Sequence, residues 1–462
     1  MQKEGSYNGA MIQEIYVALM RNGKPEPVGV ISFDAKARSG AFRYMPSYNG
    51  PPLDPVNLDY TKPFTPGETP GRVGPRAFAI DPRQNPQLMH RVFLDAMPGY
   101  WGMTVLKAEY PELREMCAAE QCAWLGTRTA GALHLFVKRS GMDNPINGIE
   151  ALRKAREQSE EFQRTMTALG LAGIKNPAFA SHGGAMPKVS YKDDEGRHWL
   201  AKFNRVSDPI DYGAIEFAAM RTASMLGINV PRARLIDSST TGDKSILLSQ
   251  RYDRDGDKRR HKVSFFSLIG ERKAQTLGDG GDYAWIADKL KESVAAEDFD
   301  AQRAELFRRI VFNVGLNIAD DHLQNHELLL DPDTGKWELS PAFDLLPFAF
   351  NGARKCSVFG YGRLTLEEAD AEKWQAIAGK LGIPVAVAMA EVARIREGIQ
   401  DEWPKILGSV KTNEATLRDG LRAMEIGCGK TAQQATKYDP SKPLEFTTDH
   451  STPTRKSGGL SF

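Results

Sequence analysis

IADDHLQNHELLLDPDTGKWELSPAFD, residues 318–344, is the stretch whose reading decides the fold. Ahead of it, Phe307, Ile310, Val311, Val314 and Ile318 recur at helical spacing. They predict a core-facing helix that runs to about Asn317. After the polar segment Ala319 to Asn325 come Glu-Leu-Leu-Leu, the turn Asp331-Pro-Asp-Thr-Gly335 and Lys-Trp-Glu-Leu, which predict a β-hairpin. The hairpin leads into Pro341-Ala-Phe-Asp344. Helix, acidic loop, hairpin and second acidic loop therefore follow in order.

That order suits phosphoryl transfer. One carboxylate must accept or orient the proton of an attacking hydroxyl, while an Asn and a second Asp hold magnesium against nucleotide phosphates. Protein kinases space the base and the Asn as D-x-x-x-x-N, and Asp320 and Asn325 have that spacing. Asp344 follows the hairpin where a metal-binding Asp is needed. Phe343 precedes it rather than following it, so the triplet is not DFG. Polar residues between a helix and a strand also serve as caps and turns. Asp331 and Asp333 are read that way outright. For Asp320, Asn325 and Asp344 taken alone both readings stay open, because the pattern is a cheap one.

The upstream half shifts the balance. Ser181-His-Gly-Gly-Ala-Met-Pro-Lys188-Val-Ser-Tyr is a Gly-rich turn entering a strand, and Gly183 and Gly184 let backbone amides approach phosphate. The partner strand is His198-Trp-Leu-Ala-Lys202-Phe, with Lys202 among apolar residues. The helix GAIEFAAMRTASMLG follows, closed by Gly227 and carrying Glu216, a candidate ion-pair partner for Lys202. SILLSQRYDR then reads as a buried strand entering a linker. Each piece has a bland reading: Gly pairs mark turns, and a strand Lys snorkels. The ordered set has none.

Further out, residues 11–48 read as strands, IYVALM and VGVISFD, separated by the turn-rich RNGKPEP and continued by FRYMPSY. Pro and Gly dominate from Gly50 to Pro82, which predicts ordered loop and excludes helix or central strand. QLMHRVFLDAMPGYWG predicts a short helix and a turn at Pro98-Gly99; CAWLGTRTAGALHLFV predicts a helix end, a Gly-rich turn and a strand. Residues 150–169 predict a charged amphipathic helix. The expected class is α/β (α+β): a protein-kinase-like two-lobed core, a small N-terminal β-containing domain and a mostly helical C-terminal lobe. The expected segments are 1–110, 111–255 (the lobe with the Gly-rich loop), 256–426 (the helical lobe) and 427–462, a polar tail expected to be disordered.

Lys plus Arg number 60 against 59 Asp plus Glu, a balance that argues against a chain built mainly to bind nucleic acid. Cys117, Cys122, Cys356 and Cys428 form neither a CxxC pair nor a Cys/His cluster, which suggests a reducing compartment. No leader pattern and no long apolar run is visible, so the expectation is a cytoplasmic protein with no membrane contact. Asp253-Arg-Asp-Gly-Asp257 places its Gly too early for a calcium loop and reads as a turn. The basic run Arg254, Lys258, Arg259, Arg260, His261 and Lys262 reads as a solvated loop, with a patch for a partner or nucleic acid as the other reading.

From about Ile15 to about Gly420 these residues resemble the HipA family of bacterial toxin kinases. SHGGAMPK, WLAKF, IEFAAMRTASMLGINVP, LLSQRYDR, IADDHLQNH and LSPAFDLLP carry the likeness. The resemblance implies an ATP- and magnesium-dependent serine/threonine protein kinase. Asp320 would be the catalytic base, with Asn325 and Asp344 as magnesium ligands. The nucleotide loop would run through Gly183, Gly184, Ala185, Met186, Pro187 and Lys188, with Lys202 on the phosphates. Gln250, Arg251 and Tyr252 would lie at the adenine, and His322, Leu323, Gln324 and Phe343 would complete the ATP site. Ser181 falls at the family's autophosphorylated loop serine. The implied partners are a protein substrate such as an aminoacyl-tRNA synthetase, a small helix-turn-helix antitoxin and, mainly through it, operator DNA. Ala319 and Asp321 depart from the best-known pattern, which has Thr and Gly. A small-molecule kinase of the same fold, and a pseudokinase or binding module, are the alternative readings.

Overall fold

A computed structural model describes residues 14–21, 23–34, 39–67, 71–80, 87, 89–126, 129–136, 178–179, 188–204, 208–238, 244–269, 282–349, 361 and 364–429. The helix expected at 150–169, the loop from Ser181 to Pro187 and all but the first three residues of the expected tail lie outside them.

The N-terminal strands are β1 (Glu14–Arg21), β2 (Lys24–Asp34), β3 (Ser39–Tyr44), β4 (Arg72–Gly74), β5 (Ala77–Ile80) and β6 (Leu133–Phe136). They form one six-stranded sheet in the order β4-β5-β3-β2-β1-β6. β6 joins from beyond residue 110, the limit expected for this subdomain, by pairing Leu133–Phe136 with Tyr16–Leu19. Two details correct the sequence reading. RNGKPEP is not all turn, because Arg21 already pairs with Lys24 and both Pro25 and Pro27 lie within β2. Proline lacks the N–H a ladder needs, but β3 pairs only with Gly29–Asp34, so this half of β2 has one neighbour. The Pro-rich stretch also holds an inner strand, β5, flanked by β4 and β3. Its four residues, Ala-Phe-Ala-Ile, contain no proline, and Phe78 and Ile80 point into the core.

The short helices α1 (Arg91–Leu94), α2 (Tyr100–Glu109) and α3 (Ala118–Leu125) lie between β5 and β6, both strands of this first sheet. The second sheet contains β7 (Ala178–Phe179), β8 (Lys188–Lys192), β9 (His198–Lys202), β10 (Ala233–Ile236) and β11 (Ile246–Gln250), in the order β10-β11-β9-β8-β7. Helix α4 (Tyr212–Met225) packs against it. Its cap is Asp211, whose Oδ1 accepts from Ala214 N at 3.0 Å. Ala214, Ala218, Ala219 and Ala223 give α4 a slim buried face. A Cβ on Gly213 would stand 2.9 Å from the Ser245 carbonyl oxygen, so backbone meets backbone there.

A two-strand hairpin, β12 (Arg254–Asp255) and β13 (Lys258–Arg259), turns at Gly256 (φ 56°), as read for Asp253 to Asp257. β14 (Lys262–Ser264) then pairs with the hairpin β15 (Glu327–Leu330) and β16 (Trp337–Leu339). The rest is helical: α5 (Phe265–Leu268), α6 (Tyr283–Ser293), α7 (Phe299–Gly315), α8 (Ala371–Leu381), α9 (Val385–Ser409) and α10 (Glu414–Gly427). α7 ends two residues earlier than expected, and Asn317 takes φ 49°. The result is a mixed α/β protein with a small sheet domain and a helical region. α4 is fastened to that helical region at both ends. Asp211 N donates to Thr416 Oγ1 at 2.9 Å, and Arg394 Nη2 on α9 donates to the Leu226 carbonyl at 2.9 Å. Gly398 packs so closely that a Cβ would lie 2.2 Å from Leu226 Cδ2.

Candidate functional site: a cleft between the second sheet and the helical region

Register places Lys188 of β8 opposite Lys202 of β9, and both are buried. Lys202 Nζ reaches Glu216 Oε1 on α4 at 2.6 Å. It also contacts Asp344 Oδ1, which arrives on the segment after β16. The ion pair anticipated between Lys202 and Glu216 is therefore formed, and Asp344 is its third member. Asp344 takes φ 54°, a left-handed backbone that Asp tolerates better than most side chains. Burial disfavours the Asp344 carboxylate, but Lys202 and then Lys188 outweigh it and hold the group well below the usual range. Burial likewise works against the charge on Lys202, while Asp344 and Glu216 raise its pKa above the ordinary value. Lys188 goes the other way: burial foremost, with help from Lys202, depresses it.

Asp320 is exposed at the mouth of the same cleft. The Asn325 side-chain amide donates to its backbone carbonyl at 3.1 Å and closes the 320–325 loop. Leu323 turns into the core and is fully buried, so it does not line the cleft as expected; an apolar side chain in that short turn packs under it. His322, Gln324 and Phe343 do line it. His322 Nδ1 is a buried ring nitrogen without a partner among the described residues.

Gln250, Arg251 and Tyr252 line the cleft as a linker. Arg251, however, commits its guanidinium to Asp253, with Nε–Oδ1 at 2.9 Å and Nη2–Oδ2 at 2.7 Å. Asp253 also receives Arg254 Nη1 and the backbone N of Gly131, each at 2.8 Å. The basic run is therefore not a uniformly solvated loop. Arg254, His261 and Lys262 are buried, and Lys262 Nζ meets Glu327 Oε1 at 2.5 Å. The Tyr252 hydroxyl donates to Glu327 Oε2 at 2.8 Å, and its ring lies 5.6 Å from that of Phe343. Glu327 lies 65 residues from Lys262, so a local reading of the run could not see it, whereas Asp253 adjoins Arg254 and only the fold shows that the pair is buried.

Sequence reasoning also missed Asp321. Its carboxylate is buried; His326 Nε2 lies 2.8 Å from Oδ1, Asn313 Nδ2 donates to Oδ2 at 3.0 Å, and the Tyr283 hydroxyl donates to the same oxygen. Burial opposes the ionised form, but His326 and these donors hold the group below the usual range. The 320–325 loop is thus pinned to α6 and α7 from beneath. The only sequence signal was the acidic pair itself, with a His five residues on.

The cleft measures about 590 Å³. Lys188, Lys202 and Glu216 lie on one wall and Asp320, Asn325 and Asp344 on the other. Among the described residues no cluster of three or more His, Cys, Asp or Glu forms a metal cage. A carboxylate and an amide oxygen on one wall are a hard-oxygen pair of the kind magnesium takes when phosphates supply the other ligands. Asn325 and Asp344 therefore fit that ion. The sequence-expected loop residues Ser181, Gly183, Gly184, Ala185, Met186 and Pro187 lie outside the described residues. No helix among the described residues is long and apolar enough to cross a membrane.

Residues 180–403 match the family model of the HipA-like C-terminal domain. Two proteins of Sinorhizobium fredii, named "Putative kinase Y4dM" and "Putative kinase Y4mE", are 28% identical over 234 residues and 24% identical over 200 residues. These alignments cover 48% and 42% of this chain and 53% and 46% of the relatives, so the chain spans about half of their length. A chain of the HipA, HipB and operator DNA complex from the Shewanella oneidensis MR-1 toxin–antitoxin system superposes with a TM-score of 0.58 at 17% identity. That match covers 90% of this chain and 96% of the other. At such identity it speaks for the fold.

Proposed function

Starting from a chain whose residues 180–403 match the family model of the HipA-like C-terminal domain, we propose that it is an ATP- and magnesium-dependent protein serine/threonine kinase. The observation that supports this is the Lys202–Glu216 pair on one wall of a cleft, with Asp320, Asn325 and Asp344 on the other and Asp344 reaching across to Lys202. Lys202 and Lys188 bind nucleotide phosphates, and Glu216 holds Lys202 in place while they arrive. Asn325 and Asp344 hold magnesium, which when bound neutralises charge on the β- and γ-phosphates. Asp320, exposed and one loop away, accepts the proton of the incoming hydroxyl. Gln250 and Tyr252 meet the base, with the Phe343 ring tilted against that of Tyr252. Arg251 acts by fixing the linker through Asp253.

The finer reading follows the family. The substrate is a protein hydroxyl, with a translation enzyme such as an aminoacyl-tRNA synthetase as the target class. A small helix-turn-helix antitoxin is the partner, and operator DNA is reached mainly through it. The Shewanella oneidensis complex, which contains HipB and operator DNA, supports that extension. Phosphorylation of Ser181 would add roughly 1.5 to 2 negative charges to the loop ahead of Lys188.

The test uses purified chain, labelled ATP and magnesium, comparing wild type with Asp320→Asn. Loss of a positioned base lowers transfer by about 10²–10⁴-fold. Self-labelling at Ser181 that Asp320→Asn abolishes supports the base and the loop together. ATP binding without transfer in wild type, with cell protein and metabolites both supplied, would mean a binding module. Absence of ATP binding overturns the site.

A further inference from the structure

A second groove lies away from the cleft, between the C-terminal half of α4 and β10. It measures about 440 Å³ and shares no lining residue with the first. Its wall carries four arginines, two methionines and a tryptophan, with no carboxylate and no lysine among the described lining. Interface cores are enriched in aromatics, Met and Arg and depleted in Lys, Asp and Glu, so this lining resembles a binding surface more than ordinary solvated surface.

The arginines differ in how they are answered. Arg197 is held by Asp193 at 2.7 Å. Arg221, Arg232 and Arg234 are exposed, and none has a carboxylate partner among the described residues. Arg234 is already posed, its guanidinium 4.7 Å from the Trp199 ring centroid. A stacked arginine loses less freedom when it takes a carboxylate. Met225 is 51% exposed beside them, one of few large apolar side chains so placed among the described residues. β10 is the end strand of its sheet and pairs on one side with β11. Arginine on an edge strand also discourages self-pairing, which is the bland explanation for Arg234. It does not explain Arg221 on the helix opposite, nor the exposed methionine between them.

We propose that this groove docks an extended acidic segment of a partner protein, which adds to the β10 edge, sets carboxylates on Arg221, Arg232 and Arg234, and places an apolar side chain on Met225. Strand addition supplies backbone hydrogen bonds, and the arginines supply sequence preference. A single-stranded nucleic acid would need an aromatic platform for its bases. Trp199 is 1% exposed and offers none, which favours a peptide.

The experiment is a selection of random 12-residue peptides displayed on phage against the full-length chain, followed by binding of the selected peptides to wild type and to an Arg221→Ala/Arg232→Ala/Arg234→Ala variant. The melting temperature of the variant checks folding, independently of any kinase activity. The expected result is enrichment of Asp and Glu alternating with apolar residues, and a fall in affinity of at least about tenfold in the triple variant. Met225→Asp should weaken the same peptides, whereas ATP should not compete with them. Peptides without acidic enrichment, or peptides that bind the triple variant equally, would overturn the proposal. So would arginine-dependent binding of a 12-mer oligo-dT with no peptide selected, which would assign the groove to nucleic acid.

Discussion

Asp321 stands next to the exposed Asp320, yet its side chain points the opposite way, into the contacts of Tyr283, Asn313 and His326. Two adjacent acids of identical type therefore have opposite environments, one open to the cleft and one dry. Asp321→Ala should lower transfer while leaving the ATP concentration dependence nearly unchanged. It should also destabilise the fold by about 1–3 kcal/mol for the buried donors it strands, measured by urea unfolding beside the kinetics. The folded pKa of Asp321 lies below the unfolded value near 3.9. Its contribution is therefore complete above that value and is lost as pH falls below it through the lower folded pKa. The stability gap between wild type and Asp321→Asn should shrink as pH falls from about 5 toward 3. A gap that grows over that interval would contradict the ionised carboxylate. Lys202→Met tests the other wall. It strands Glu216, whose side chain is 4% exposed, and should cost about 3 kcal/mol, the low end for a broken buried pair, because Lys188 remains nearby. The gathering of Lys202, Glu216, Asp320, Asn325 and Asp344 at one cleft was legible from their order along the chain. The roles of Asp253 and Glu327 were not, because what they neutralise is assigned by the fold: Arg251 reads as a nucleotide contact and Lys262 as part of a solvated loop until the sheets form.

At the scale of elements, periodicity located the strands and helices that flank the cleft, and turn chemistry located the hairpin. Asp331 Oδ1 accepts from Asp333 N at 2.8 Å and Thr334 N at 3.1 Å, as its turn assignment required. Proline counting misled in two places, β2 and β5. A count over a long window cannot see that four proline-free residues are enough for a strand, nor that half of β2 has one neighbour. Glycines report contacts that no pattern shows. A Cβ on Gly427 would lie 2.2 Å from the Gly315 carbonyl oxygen, so α10 meets α7 backbone to backbone. Gly427→Ala should lower stability by about 1–3 kcal/mol, whereas Gly379→Ala, with nothing within 4 Å, should be neutral or slightly stabilising. Equal melting temperatures for the two variants would contradict the packing.

For the whole molecule, the order of parts along the chain was readable, and with it the two-walled cleft. What joins the walls was not, because those contacts link residues far apart: Asp211 with Thr416 across 205 positions, and Arg394 with Leu226 across 168. They give α4 an unusual mechanical status. A helix that carries one partner of the buried Lys202–Glu216 ion pair can serve as a switch only if it can swing, and this one is bolted to α9 and α10 at both ends. Its amides should therefore exchange hydrogen for deuterium only through opening of the helical region itself, at one slow rate with or without ATP. Protection of α4 that rises sharply on nucleotide addition would show that the bolts slip. If the rate stays fixed, activation of this cleft does not run through assembly of Lys202 and Glu216, and any timing device must act on what enters the cleft rather than on the frame that surrounds it.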